Sequence, residues 1–223
     1  MKRLLLAALT AASLATPSLA LADSPQHLVD SATLSVESMM GGSEGNQAQE
    51  YLRRAKAVVV CPNIFRGAFF VGGEGGGCVM LSRNDEGRWS YPAFYNMGSG
   101  SFGLQIGVQS AQVMMMIMTD NGLQALLSSQ FKFGADAGLS VATLGAGVNG
   151  AMSTGLQADI ISFSMSEGLY GGISLSGSVL SDDAGTDQSY YGSDLDARQI
   201  VIDQEGSNQG ANPLREMLRQ YGG

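Results

Sequence analysis

The chain is short of the side chains that most catalytic chemistry needs. Its 223 residues include one histidine, His27. A Ser-His dyad needs a histidine beside its nucleophile, and a zinc centre usually needs several imidazole or thiolate ligands. His27 reads as a surface residue of the first helix. Cysteine is almost as scarce: Cys61 and Cys78 are the only two. This excludes a cysteine-rich metal site or a disulfide-dense scaffold. In an oxidising compartment the pair can close a disulfide, or both can stay as buried thiols within the apolar runs "AVVVCP" and "GGCVML". Positive charge is also in deficit, with 12 Lys and Arg against 20 Asp and Glu, for a net charge of −8. Nucleic-acid binding needs a basic footprint, so it is excluded as a bulk property. The same deficit argues against adsorption to anionic lipid by charge alone.

Long apolar runs are absent except at the start. Lys2 and Arg3 precede the apolar stretch from Leu4 to Ala15, and Ala20-Leu21-Ala22 follows as a small-x-small site. The run is too short to span a bilayer. The pattern predicts a signal peptide over 1–22, cut before Asp23, and a periplasmic or secreted destination. The remaining 201 residues would keep 10 basic and 20 acidic side chains, a net charge of about −10. They are read as a single domain over 23–223, with a core over about 30–192 and an acidic loop and helix over 193–223.

Glycine is abundant, at 31 residues, and methionine contributes 12. Residues 24–40 read as a helix, with Ser24 as cap, Pro25 in the first turn and Leu28, Ala32, Val36 and Met39 on one side. A second helix is expected over 46–56, with Arg53, Arg54 and Lys56 crowding its end. From residue 57 short β-rich runs follow, broken by Gly, Pro and Asn. The run "VMMMIM" (113–118) reads as a buried strand, 121–130 as a short helix, and "NPLREMLRQYG" as a closing helix with Asn212 as cap and Pro213 in the first turn. The predicted fold class is α+β: a Gly-rich antiparallel β body, barrel-like or sandwich-like, with N-terminal helices, one short internal helix and a C-terminal helix.

The glycine motifs decide between a nucleotide site and a bent sheet. Residues 72–77 hold five glycines interrupted by Glu74. Gly98, Gly100 and Gly103 match G-x-G-x-x-G, as do Gly145, Gly147 and Gly150. That fingerprint requires a helix directly after it, and strand-like runs follow both matches. Gly41, Ser43 and Gly45 match G-x-S-x-G, but a helix precedes them where a nucleophile elbow needs a strand. The glycines are therefore read as bulges and tight corners, with no nucleotide and no cofactor. Glu74 is the carboxylate closest to a catalytic setting, and a lone Glu in a turn is ordinarily solvated. Asp182, Asp183, Asp187, Asp194 and Asp196 lack the ordered spacing of a calcium loop and read as a solvated loop, so no metal is expected.

Four blocks, "AKAVVVCPNIFRGAFFVGGEGGGCVML", "WSYPAFYNMGSGSFGLQIGVQ", "FKFGADAGLSVATLGAGVNG" and "ISFSMSEGLYGGISLSGSVLSDD…YYG", resemble in order and spacing the SYLF domain. That family includes secreted bacterial lipid-binding proteins and modules of yeast actin-patch proteins. The resemblance spans roughly residues 30–192. It implies phospholipid or phosphoinositide binding at a membrane surface, without enzymatic activity. In relatives an amphipathic N-terminal helix and basic residues contribute to membrane contact. The matching positions are the basic side chains Arg53, Arg54, Lys56 and Arg66, with Phe65, Phe69 and Phe70 as apolar contacts. Two departures weaken charge-based phosphoinositide recognition: Met165 and Glu167 stand where basic residues are expected, and no Lys or Arg lies between Asp23 and Glu50. Hydrophobic insertion or acyl-chain contact is left as the better mode. The expected function is a non-catalytic phospholipid-binding module of the bacterial envelope, and the alternative is a structural or protein-interaction role there. Actin is not expected as a partner in that compartment.

Overall fold

A computed structural model describes residues 24–41, 45–69, 71–102, 107–135, 138–144, 158–166, 169–171 and 175–223. The leader at 1–22, Ser43, Phe70, Gly103, the Gly145–Gly150 motif and Glu167 lie outside the described residues. So do the side chains of Arg66, Phe69 and Glu74.

Two helices open the described chain, α1 (Pro25–Gly41) and α2 (Gly45–Arg54). Strands β1 (Ala57–Phe69), β2 (Val71–Ser82), β3 (Ala93–Phe102) and β4 (Gly107–Ile117) follow. Next come α3 (Asp120–Leu126), β5 (Gln130–Lys132), β6 (Val141–Leu144), β7 (Ile160–Ser166), β8 (Leu169–Gly171) and β9 (Val179–Asp182). Helices α4 (Ala184–Tyr191), α5 (Ala197–Val201) and α6 (Asn212–Gly222) close the chain. The α+β class expected from sequence is the one observed. The strands form one curled sheet in the order β5-β9-β3-β2-β1-β4-β7-β6, with β8 also on β7. Among the described residues its pairings are antiparallel except one: β6 runs parallel to β7.

Alternate residues of the central strands enter two different cores. Val58, Val60, Val79, Leu81, Phe94, Met114 and Met116 face a cluster shared with α1, α2 and α6. Val59, Cys61, Cys78, Met80, Tyr95, Met115 and Ile117 face a second cluster, closed by Leu123, Leu126, Phe131, Ile200 and Val201. A strand covered on both faces must be apolar at every position, which explains the methionine run. Met114, Met115 and Met116 are fully buried.

Helix ends follow the sequence rules in most places. Gly45 opens α2 where a Cβ would lie 2.4 Å from the Met40 carbonyl oxygen, so only glycine fits. The internal helix is shorter than expected, because residues 130–132 pair with β9 as β5. The cap of α6 falls on Ala211, one residue before Asn212. The largest correction concerns the acidic stretch. Instead of a solvated loop it runs from the end of β9 through α4 to the start of α5, and two of its aspartates are caps: Asp183 accepts from the Thr186 N–H, and Asp196 forms a capping box with Gln199.

Candidate functional site: a cleft at the β1 bulge

The segment "CPN" sits in the middle of β1, the most central strand. Proline has no N–H to give the ladder and is tolerated in sheets chiefly at bulges. The registers show one. Val60 pairs with Val79 and Phe65 with Gly75, leaving four residues on β1 opposite three on β2. On the other side Cys61 pairs with Val113 and Ile64 with Ala111, leaving two opposite one. The extra residue pushes the Asn63 carbonyl toward β2, where a Cβ on Gly76 would lie 2.0 Å from its oxygen. Gly77 admits the Leu28 side chain of α1, 2.8 Å from where its own Cβ would be. Cys61 and Cys78 form a disulfide beside the bulge, fastening the two strands where their ladder is interrupted.

The bulge opens a cleft of about 480 Å³ between α1, β1–β3 and α4. Leu28, Pro62 and Phe65 give it apolar wall, and Asn63, Asn96 and Thr186 give it polar edges. Phe65 is 56% exposed, a rare setting for a phenyl ring. His27 and Ser31 line the same cleft, and Leu34, 66% exposed, continues their stripe one turn further along α1. Asp183 at the rim is already occupied, accepting from the Asn96 amide at 2.8 Å and the Thr186 hydroxyl at 2.9 Å. Beneath it Asp187 is buried and accepts from the Phe94 N–H at 3.0 Å. Burial raises the Asp187 carboxyl to about 7, helped by Asp183 and Asp182 and opposed by the Phe94 bond. Its second oxygen has no hydrogen-bond partner. Among the described residues no group of acidic, histidine or cysteine side chains could hold a metal ion.

The structure separates the expected lipid contacts into two groups. Arg53 and Arg54 are exposed at the end of α2. Lys56 follows them, bound to Asp120 at 2.8 Å. Phe65 lies nine residues along β1, about 30 Å away at strand rise, and Arg66 and Phe69 follow it in the same strand. The apolar face of α1 is not available for insertion either, since Val29, Ala32, Val36, Met39 and Met40 are fully buried in the first core.

The G-x-G-x-x-G match at residues 98–103 begins inside a strand. Gly98 and Gly100 lie within β3, paired with Gly75 and Gly73 of β2, and the next described element is strand β4. Gly73 also pairs with Gly67 of β1, so glycines from three strands stand in register. Met165, where a basic residue was expected, is a core residue of β7.

Sequence reasoning passed over Arg83. Its guanidinium donates to the Leu52 carbonyl at 3.0 Å, to that of Arg53 in the last turn of α2, and to that of Ala55 just beyond it. It also donates to the Gly222 and Gly223 carbonyls at the end of α6. It therefore satisfies the last carbonyls of two helices at once. No local motif marks such a residue, because both helices are distant in sequence.

Residues 98–221 match the Ysc84 family model, described as Las17-binding protein actin regulator. An SH3 domain-containing YSC84-like protein 1 from Rattus norvegicus is 26% identical over 171 residues, 76% of this chain and 50% of the relative. The SH3 domain-containing protein PJ696.02 of Schizosaccharomyces pombe is 29% identical over 75% of this chain and 39% of the relative. LAS seventeen-binding protein 3 of Saccharomyces cerevisiae is 25% identical over 76% of this chain and 37% of the relative. The chain thus spans half or less of the length of these relatives. The family description names Las17 binding and actin regulation, and one relative's name states a protein partner; neither supports setting actin aside.

Proposed function

The chain belongs to the Ysc84 family, the SYLF-type modules, and from that premise we propose that it is a non-catalytic phospholipid-binding module. The observation that carries this reading is Phe65, held outward at the mouth of the bulge cleft. An exposed ring beside an apolar-walled cleft suits a ring inserted among lipid chains with one chain or glycerol edge entering the cleft. Contact of this kind needs little positive charge, which fits a chain with a net charge of −8. The leader-like residues 1–22 support an exported, envelope-located protein. Mass spectrometry of the exported chain should then give an N-terminus at Asp23.

Vesicle co-sedimentation tests the lipid reading. The purified chain is expected to bind neutral phosphatidylcholine vesicles with little dependence on salt, and Phe65→Ser should weaken binding about tenfold, the worth of part of a phenyl ring's burial. Absence of binding to any phospholipid mixture, at low or high salt, would remove the reading. A second reading, a protein-interaction module, is supported by the family description, which names a protein partner. Silent vesicles together with one stoichiometric protein partner would favour it.

A further inference from the structure

Of the twelve basic residues in the chain, seven gather at one pole: Arg53, Arg54, Lys56, Arg83, Arg88, Arg215 and Arg219. Arg83 joins them, bonding to the ends of α2 and α6 while its guanidinium stands 5.2 Å from the centre of the Trp89 ring. Between the β2–β3 turn and α6 this pole is cut by a groove of about 490 Å³, with Arg88, Trp89, Arg215 and Arg219 along it.

Arg215 is the half-buried centre of the groove. Its Nε donates to the Trp89 carbonyl at 3.0 Å, its Nη1 donates to Asn212 Oδ1 at 3.2 Å, and its guanidinium stacks 4.1 Å from the centre of the Tyr91 ring. No carboxylate pairs with it among the described residues. A guanidinium fixed in this way is preorganised for a carboxylate. On the rim, Arg88 pairs with Glu86 and Arg219 with Glu216. These side chains are 61–70% exposed, so their pairs exchange at little cost. The rim glutamates also discriminate between partners. A flat anionic bilayer would press against Glu86 and Glu216, whereas a narrow chain can slot between them.

We propose that this groove docks an acidic, extended segment of a partner protein, whose carboxylates take Arg215 and displace Glu86 and Glu216 from Arg88 and Arg219. The site stands apart from the bulge cleft and does not depend on the lipid reading.

Trp89 is the only tryptophan, so its emission reports occupancy without a label. An acetylated ten-residue oligoglutamate, titrated at about 20 mM salt where screening is weak, should shift that emission. Binding should fall steeply as salt is raised. Arg215→Lys keeps the charge but loses the planar fork, and should weaken binding about tenfold. Glu216→Gln frees Arg219 and should tighten binding several-fold, a gain that no merely structural role produces. Failure of the peptide to bind at low salt, or equal affinity for Arg215→Lys and the unaltered chain, would overturn the proposal. Phosphatidylserine vesicles that shift Trp89 emission and lose binding in Arg215→Lys would also overturn it, reassigning the groove to a lipid surface.

Discussion

Replacing Arg83 with methionine isolates one side chain that holds two helices. The substitution keeps the aliphatic stem and removes the guanidinium. Five carbonyl contacts disappear, at Leu52, Arg53, Ala55, Gly222 and Gly223. Charged hydrogen bonds are worth about 1.5–3 kcal/mol each when fully formed. Here they share two nitrogens, and the freed carbonyls lie where water can reach several of them. Their sum is therefore far below five times that value, and about 3 kcal/mol is expected. The lost charge at two helix C-termini, about 0.3–1 kcal/mol each, falls within this figure. Urea unfolding followed by far-UV circular dichroism should show a lower midpoint at unchanged slope, and thermal unfolding should move down by roughly 6–12 °C. Arg83→Lys keeps the charge without the fork and should recover less than half of the loss. A loss under about 1 kcal/mol, or a lysine as good as arginine, would refute the idea that the fork ties α2 to α6.

Other expectations concern the bulge and the buried acid. Because the Asp187 carboxyl is raised to about 7 by burial, its neutral form is favoured when folded. Its contribution is full below the unfolded value of about 3.9 and is lost as pH rises through 7. Stability should therefore fall by on the order of 2 kcal/mol between pH 5 and pH 8, and Asp187→Asn should flatten this slope; an unchanged slope contradicts the assignment. Replacing both Cys61 and Cys78 with alanine should cost about 3 kcal/mol for a bridge across 17 positions, read as a drop in the urea midpoint absent in the reduced protein. Gly76→Ala must displace the Asn63 carbonyl and should cost about 2–4 kcal/mol. Gly185→Ala, in α4 with no atom closer than 3.7 Å, should instead stabilise by about 0.5–1 kcal/mol. Similar effects at the two glycines would discredit the bulge geometry.

The elements that carry their own signals were legible in the sequence. Pro25 and the spacing from Leu28 to Met39 mark α1, and the run at 113–118 marks a doubly covered strand, which ends at Ile117. Which core each methionine enters was not legible, because a strand that is apolar on both faces has no alternation to read. The acidic stretch misled through composition. Asp183 and Asp196 were counted as charge, yet the pattern Asp196-x-x-Gln199 is a capping signal that predicts a helix. Pro62 within an apolar run, followed by Gly76 and Gly77, was a readable sign of the bulge, whereas the cleft it opens also depends on the Leu28 side chain arriving from α1. The basic pole was visible only at Arg53, Arg54 and Lys56. Arg83, Arg88, Arg215 and Arg219 join it through tertiary contacts between segments 28 to 140 residues apart, which no local pattern encodes.

The most direct measurement is the partitioning of the unaltered chain and of Phe65→Ser onto phosphatidylcholine vesicles, followed at two salt concentrations. Salt-insensitive binding that drops about tenfold on losing the ring is the predicted result. Equal binding by the two chains, or binding by neither, would contradict the assignment of lipid contact to the bulge cleft.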